Sequence, residues 1–132
     1  MAALRAFIVE NSPLIRENLA GTLEELAQVE VIGTAGDEAS AVHWMSGGSA
    51  ERADVVIVDV FLDAGSGLGV LRAAQRLGVA ARRIVLTNYA TAEMRRRCES
   101  LGAERVFDKC RQLDELINYC AGLSGREQQS CA

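Results

Sequence analysis

Five short apolar runs, separated by stretches of helical periodicity, constrain this chain more than any other feature. Ala6-Phe7-Ile8-Val9 is the first run and stops at Glu10-Asn11. Val29 to Ala35 is the second. The third, Val55-Val56-Ile57-Val58, stops at Asp59; the fourth, Ile84-Val85-Leu86, ends at Thr87-Asn88. Arg105 to Phe107 is the fifth and ends near Asp108-Lys109. Runs that are apolar on both faces suit parallel strands covered by helices on either side.

The intervening spacing predicts helices. Ser12-Pro13 reads as an N-cap followed by the first helical position. Ile15, Leu19, Thr22, Leu23 and Leu26 then fall on one helical face. Asp37 caps a helix that turns Ala41, Val42 and Met45 inward and that Gly47-Gly48 ends. A loop rich in Gly and Asp over residues 63–67 leads into a helix over 68–77. Thr91 caps a helix holding Met94, Cys98 and Leu101 inside. Leu113, Leu116, Ile117 and Cys120 form the inner stripe of a last helix.

Five strand–helix units in strict alternation predict an α/β fold: a doubly wound, five-stranded parallel sheet with five helices and right-handed crossovers. A chain of 132 residues fits one domain. We place that domain at residues 1–123 and expect 124–132 to be a frayed polar tail or linker remnant. In such sheets ligands gather beyond the carboxyl ends of the strands. Four of those ends carry unusual residues: Glu10-Asn11, Asp59, Thr87-Asn88 and Lys109.

Charge and cysteine content narrow the function classes. The formal net charge of −4 argues against nonspecific nucleic-acid binding, which needs a basic footprint. No apolar run is long enough to span a membrane, and Met1-Ala2-Ala3-Leu4-Arg5 does not open a signal peptide. A cytoplasmic protein is expected. Cys98, Cys110, Cys120 and Cys131 contain no C-x-x-C pair, and the single histidine, His43, is remote, so a zinc site is not expected. Reduced thiols are, with Cys98 and Cys120 serving as small core residues.

Taken in order, these stretches resemble the receiver domains of two-component response regulators over residues 4–122. Phe7-Ile8-Val9-Glu10-Asn11 matches the acidic strand end, and Asp54-Val55-Val56-Ile57-Val58-Asp59 the phosphoacceptor strand. Gly67 falls at the family's glycine, Val85-Leu86-Thr87-Asn88 carries the switch threonine, and Phe107-Asp108-Lys109 the lysine. The resemblance implies a flavodoxin-like strand order 2-1-3-4-5. It implies a phosphoryl group accepted on Asp59 from a histidine kinase or phosphotransfer protein, with Thr87 and Lys109 binding that group and Asn88 beside them. It also implies Mg2+, held by Glu10, Asn11, Asp59 and the main-chain carbonyl of Phe61. On this reading the protein is not an enzyme: Asp59 and Lys109 serve only its own phosphorylation. The chemistry has an independent rationale. Like charges about 4 Å apart repel by roughly 4 kcal/mol at an effective dielectric near 20, so a carboxylate attacks an anionic phosphoryl group only if charge is neutralised.

Several residues depart from the family pattern. Asn11 replaces the acid that binds metal directly, and an amide oxygen ligates a hard cation without adding charge. Weak Mg2+ binding follows. Asn88 stands where the family commonly has a small residue; it either gates the pocket or points away. Asp63 and Cys110 replace common prolines, and a trans Lys109–Cys110 bond is expected because cis before a non-proline costs roughly 2.5–4 kcal/mol. Val106 holds the position of the switch aromatic. Arg95-Arg96-Arg97 reads as a solvated helix face, and Trp44 as partly buried packing. The output is expected to be a downstream protein or a homodimer through the face made by the fourth helix, fifth strand and fifth helix. The leading reading is a stand-alone switch with no direct nucleic-acid or membrane contact. The alternative is a pseudo-receiver, a binding module independent of phosphorylation.

Overall fold

The computed structural model describes residues 3–47 and 53–130, the last six of these by backbone alone. Gly48 and Cys131 lie outside them. Among the described residues ten elements alternate: β1 (Leu4–Val9), α1 (Pro13–Leu26), β2 (Val29–Ala35), α2 (Glu38–Ser46), β3 (Val55–Val58), α3 (Gly67–Leu77), β4 (Arg82–Thr87), α4 (Ala92–Ser100), β5 (Arg105–Asp108) and α5 (Leu113–Ser130). All strand pairings are parallel, in the order β2-β1-β3-β4-β5. The expected fold class and strand order are both observed.

The strand period of two sorts the apolar runs onto two faces. Leu4, Ala6, Ile8, Val55, Ile57, Ile84, Leu86 and Phe107 pack against Leu19 and Leu23 of α1 and Leu116, Ile117 and Cys120 of α5. The opposite face sends Phe7, Val9, Val56 and Val58 against α2 and α3. Val85 and Val106 on that same side meet Leu71 of α3 and Cys98 of α4. Burying each such side chain contributes roughly 1.5–3 kcal/mol, which explains why runs apolar on both faces occupy a sheet covered twice. Trp44 stacks on Phe7 with ring centroids 3.9 Å apart, as partly buried packing should.

The expected caps all form. Ser12 accepts from the Ile15 N–H, Asp37 from Ser40 and Thr91 from Met94, and Pro13 is the first helical residue. No cis peptide bond occurs among the described residues, so Lys109–Cys110 is trans.

Four expectations are corrected. Ile15 and Leu26 are 40% and 62% exposed, because the inner stripe of α1 runs Leu19, Leu23 and on to the buried Ala27 at steps of four. Leu113 is 37% exposed, at the first turn of α5. Arg95 is half-buried and not simply solvated: its guanidinium donates to the carbonyls of Ala90 and Val106 and to Gln112 Oε1, tying α4 to β5. The last helix does not stop near residue 123. It continues through Ser130, and Ser124 is buried with its hydroxyl donating to the Ala27 carbonyl at 3.1 Å.

Gly67 positions the most consequential strand end. A Cβ there would lie 2.2 Å from the Asp59 carbonyl oxygen and 2.7 Å from Val60 Cα, both of them backbone. Gly67→Ala is therefore expected to destabilise by about 1–3 kcal/mol through overpacking. A thermal melt should show the lowered Tm, and amide chemical-shift changes should centre on residues 59–61.

Candidate functional site

The sheet register carries three charged residues to one edge. Val9 pairs with Val58, Val58 with Val85, and Thr87 with Asp108. The next residues, Glu10, Asp59 and Lys109, therefore emerge side by side at the carboxyl ends. Backbone bonds hold each in place: Glu10 N–H to the Ala35 carbonyl at 2.9 Å, Asp59 N–H to Val9 at 2.9 Å, and Lys109 N–H to Thr87 at 2.8 Å.

Side chains complete the cluster. The Lys109 ammonium donates to Asp59 Oδ2 at 2.9 Å and to Glu10 Oε1. Glu10 Oε2 accepts the Ser12 N–H at 2.8 Å, so the start of α1 orients this carboxylate. Asp59 Oδ1 accepts the Phe61 N–H at 3.2 Å, and the buried Thr87 hydroxyl accepts the Tyr89 N–H at 3.2 Å. Asp59 retains 8% exposure and Glu10 3%. Behind Asp59 the loop closes through a bridge between Phe61 and Ser66, and the Glu38 carboxylate accepts the Ser66 N–H at 2.9 Å.

Burial and charge move the three titrations apart. Burial pushes the Asp59 carboxyl above its ordinary value and outweighs the hydrogen bond and charge of Lys109. Burial pushes Glu10 up as well, but Lys109 and the Ser12 N–H together bring it below its ordinary value. For Lys109, burial favours the neutral amine, yet hydrogen bonds to two carboxylates hold its value above the ordinary one.

The arrangement brings together Glu10, Asp59, Thr87 and Lys109, as the strand ends suggested. Asn11 is half-buried beside Glu10. Asn88 lies at the exposed rim, and its amide oxygen accepts from the Cys110 thiol at 3.2 Å, a link invisible in the sequence. Glu38 and Arg95 are likewise positioning residues that sequence reasoning missed. Their partners are 28 and 11 to 17 residues away, and no local pattern marks them. A groove of about 720 Å3 between α2 and α3 lies elsewhere. A second, about 410 Å3, runs along Ile15, Leu19 and Leu113 to Lys109 and Cys110.

Toward a metal, the side chains brought together here offer oxygen donors, the carboxylates of Glu10 and Asp59. That set fits a hard divalent cation in kind. It falls short in charge, since one ammonium already sits between the two carboxylates. Among the described residues no group of three His, Cys, Asp or Glu side chains could hold a metal.

Comparison with known proteins agrees with the fold. Residues 6–121 match the model of the response regulator receiver domain. The nitrate/nitrite response regulator protein NarP of Escherichia coli (strain K12) is 38% identical over 85 residues, which are 63% of this chain and 37% of NarP. The chain spans well under half the length of the curated relatives it matches. Among solved structures, the signal receiver domain of NarL from Mycobacterium tuberculosis superposes with a TM-score of 0.81 at 19% identity, covering 95% of this chain and 98% of that one. The CheX-CheY-BeF3-Mg complex from Borrelia burgdorferi gives a TM-score of 0.80 at 18% identity, covering 91% and 88%.

The opposed titrations make a signed prediction. Stability owed to Glu10 is present above its unfolded value and lost as pH falls through its lowered folded value. That owed to Lys109 is present below its unfolded value and lost as pH rises through its raised folded value. Ionised Asp59, whose folded value is raised, opposes folding at neutral pH. Asp59→Asn should therefore leave Tm unchanged or raise it at pH 7. Lys109→Met should cost about 2–4 kcal/mol there, by leaving two buried carboxylates facing each other. That loss should shrink as acid protonates them, which melts across the acid-to-neutral range would show.

Proposed function

The chain belongs to the response regulator receiver domain family of two-component systems, and on that premise we propose that it accepts a phosphoryl group on Asp59 and changes partner binding as a result. The observation that carries this reading is the Lys109 ammonium held 2.9 Å from a nearly buried Asp59 carboxylate, with Thr87 at the adjoining strand end.

The donor is a histidine kinase or phosphotransfer protein. An Asp59 oxygen bonds to phosphorus as the P–N bond of the donor's phosphohistidine breaks. The bond's electron pair stays on the imidazole nitrogen, which takes up a proton. Lys109 neutralises charge on the transferred group, and the Thr87 hydroxyl donates to one of its oxygens. Exposed Leu14, Ile15 and Leu113 beside the site offer the donor an apolar surface. Glu10, Asn11, Asp59 and the Phe61 carbonyl would hold Mg2+, which when bound supplies positive charge to the phosphoryl oxygens. The protein turns over no external substrate, so it is a phosphoacceptor and not an enzyme.

Phosphorylation adds roughly −1.5 to −2 charges and favours the conformer that pairs them with Lys109 and Thr87. We read the α4–β5–α5 face as the output surface, for a downstream protein or a second copy. Val106 leaves no aromatic rotamer to report on Thr87. The Arg95 guanidinium, which spans α4, β5 and Gln112, is the connection available instead. Asn11, Cys110 and Val106 favour one alternative, a pseudo-receiver that binds partners without phosphorylation.

Incubation with acetyl phosphate and Mg2+, followed by intact mass, decides between the two. A gain of one phosphoryl group, absent from Asp59→Asn, is expected; no gain supports the pseudo-receiver. The Mg2+ dependence should be weak, with half-saturation in the millimolar range, and Asn11→Asp should shift it at least several-fold lower.

A further inference from the structure

Glu38, at the start of α2, is hydrogen-bonded into the loop that follows β3. Its carboxylate Oε1 accepts the Ser66 N–H at 2.9 Å, and its own N–H donates to the Ala64 carbonyl at 3.2 Å. Bonds to Asp59, within the loop and to α3 aside, every hydrogen bond that residues 60–66 make among the described residues ends on Glu38. One residue of α2 thus fixes the far side of the loop, and Asp59 the near side.

Two glycines make room for this contact. A Cβ on Gly69 would overlap the Glu38 carboxyl group, and one on Gly65 would lie 2.7 Å from Glu38 Oε1 and closer still to Glu38 Cβ. Gly65 also has a φ of +80°, a conformation that residues with side chains seldom adopt. The half-buried carboxylate lies at the N-terminus of α3, where main-chain N–H groups favour negative charge. Ser66 is at once the N-cap of α3 and the bridge partner of Phe61. The Phe61 N–H in turn donates to Asp59 Oδ1 at 3.2 Å. Glu38 holds Ser66, Ser66 pairs with Phe61, and Phe61 holds Asp59.

We propose that Glu38 is a positioning residue for phosphoryl transfer: seated between Gly65 and Gly69, it fixes the loop that aims the Asp59 carboxylate and so sets how fast Asp59 is phosphorylated. This rests on the reading of Asp59 as phosphoacceptor. Attack by a carboxylate requires one oxygen in line with the bond that breaks. With acetyl phosphate, an Asp59 oxygen bonds to phosphorus as the P–O bond to acetate breaks, and that bond's electron pair leaves with the acetate. The Phe61 N–H holds Oδ1 while Lys109 holds Oδ2, and together they fix the rotation of the carboxylate. Freed from Glu38, the loop lets the Phe61 N–H drift, and the aimed orientation is populated for less of the time. Glu38 acts through Ser66 and Phe61, not by contact with the reacting atoms.

The test uses the full chain with acetyl phosphate and excess Mg2+, the rate of phosphorylation being followed by intact mass. Glu38→Ala should slow it about 3- to 30-fold, within the range that small misplacements of reacting groups cost. Glu38→Gln should stay within about twofold of wild type, because its amide oxygen accepts the same Ser66 N–H. Gly69→Ala should slow the rate as Glu38→Ala does, by driving the carboxyl from its place. Its Tm should be unchanged or higher, because alanine suits a helix better than glycine. The double variant should be no slower than the slower single one, because both changes undo one contact. Without Mg2+ or donor, the Phe61 and Ser66 amide resonances should move in Glu38→Ala and Gly69→Ala, and less in Glu38→Gln. Wild-type rates in both alanine variants, a Glu38→Gln chain as slow as Glu38→Ala, or single effects that multiply in the double variant would overturn the proposal while leaving Asp59 a phosphoacceptor. A wild-type chain that never gains the phosphoryl group overturns both readings at once.

Discussion

The Lys109 ammonium joins three separate strand ends, and the rest of the site depends on that contact. Glu10 follows β1, Asp59 follows β3 and Lys109 follows β5, so a single cation bonds two carboxylates drawn from across the sheet. Without it, two nearly buried negative charges would face each other. With it, Glu10 is held ionised, and Asp59, whose carboxyl is raised by burial, stays close to a positive charge. Of the three, only ionised Asp59, whose folded value is raised, opposes folding at neutral pH.

Everything else positions these charges. The parallel register sets the lateral order of the strand ends, and the close approach of Gly67 to the Asp59 backbone lets α3 begin directly under the end of β3. Main-chain N–H groups aim the side chains: Ser12 for Glu10, Phe61 for Asp59, Tyr89 for Thr87. Such local bonds over two residues make the site stiff without enlarging the core. The departures from the family pattern fall around this frame and leave it intact. Asn11 lowers the charge available to a metal, Val106 removes an aromatic switch, and Cys110 takes a trans bond after Lys109 and engages Asn88.

Most of the fold was legible because its signals are local. Apolar runs of strand length, caps at Ser12, Asp37 and Thr91, and strict alternation leave little choice of architecture. The four strand ends were legible as a site because a parallel sheet gathers them at one edge. Contacts between residues distant in sequence were not. Arg95 reads as one of three surface arginines until β5 and Gln112 are placed beside it, and Glu38 reads as a helix-start acid until Ser66 meets it. The end of α5 was misjudged for a related reason. A polar composition suggested fraying, but Ser124 finds its partner in the Ala27 carbonyl at the far end of α1.

Beryllofluoride, a mimic of the phosphoryl group that needs a carboxylate to bind, tests the central claim most directly. Fluorine NMR of the protein with beryllofluoride and Mg2+ should show bound resonances that vanish in Asp59→Asn and weaken in Lys109→Met. No bound signal at any Mg2+ concentration, or one that survives Asp59→Asn, would contradict the account.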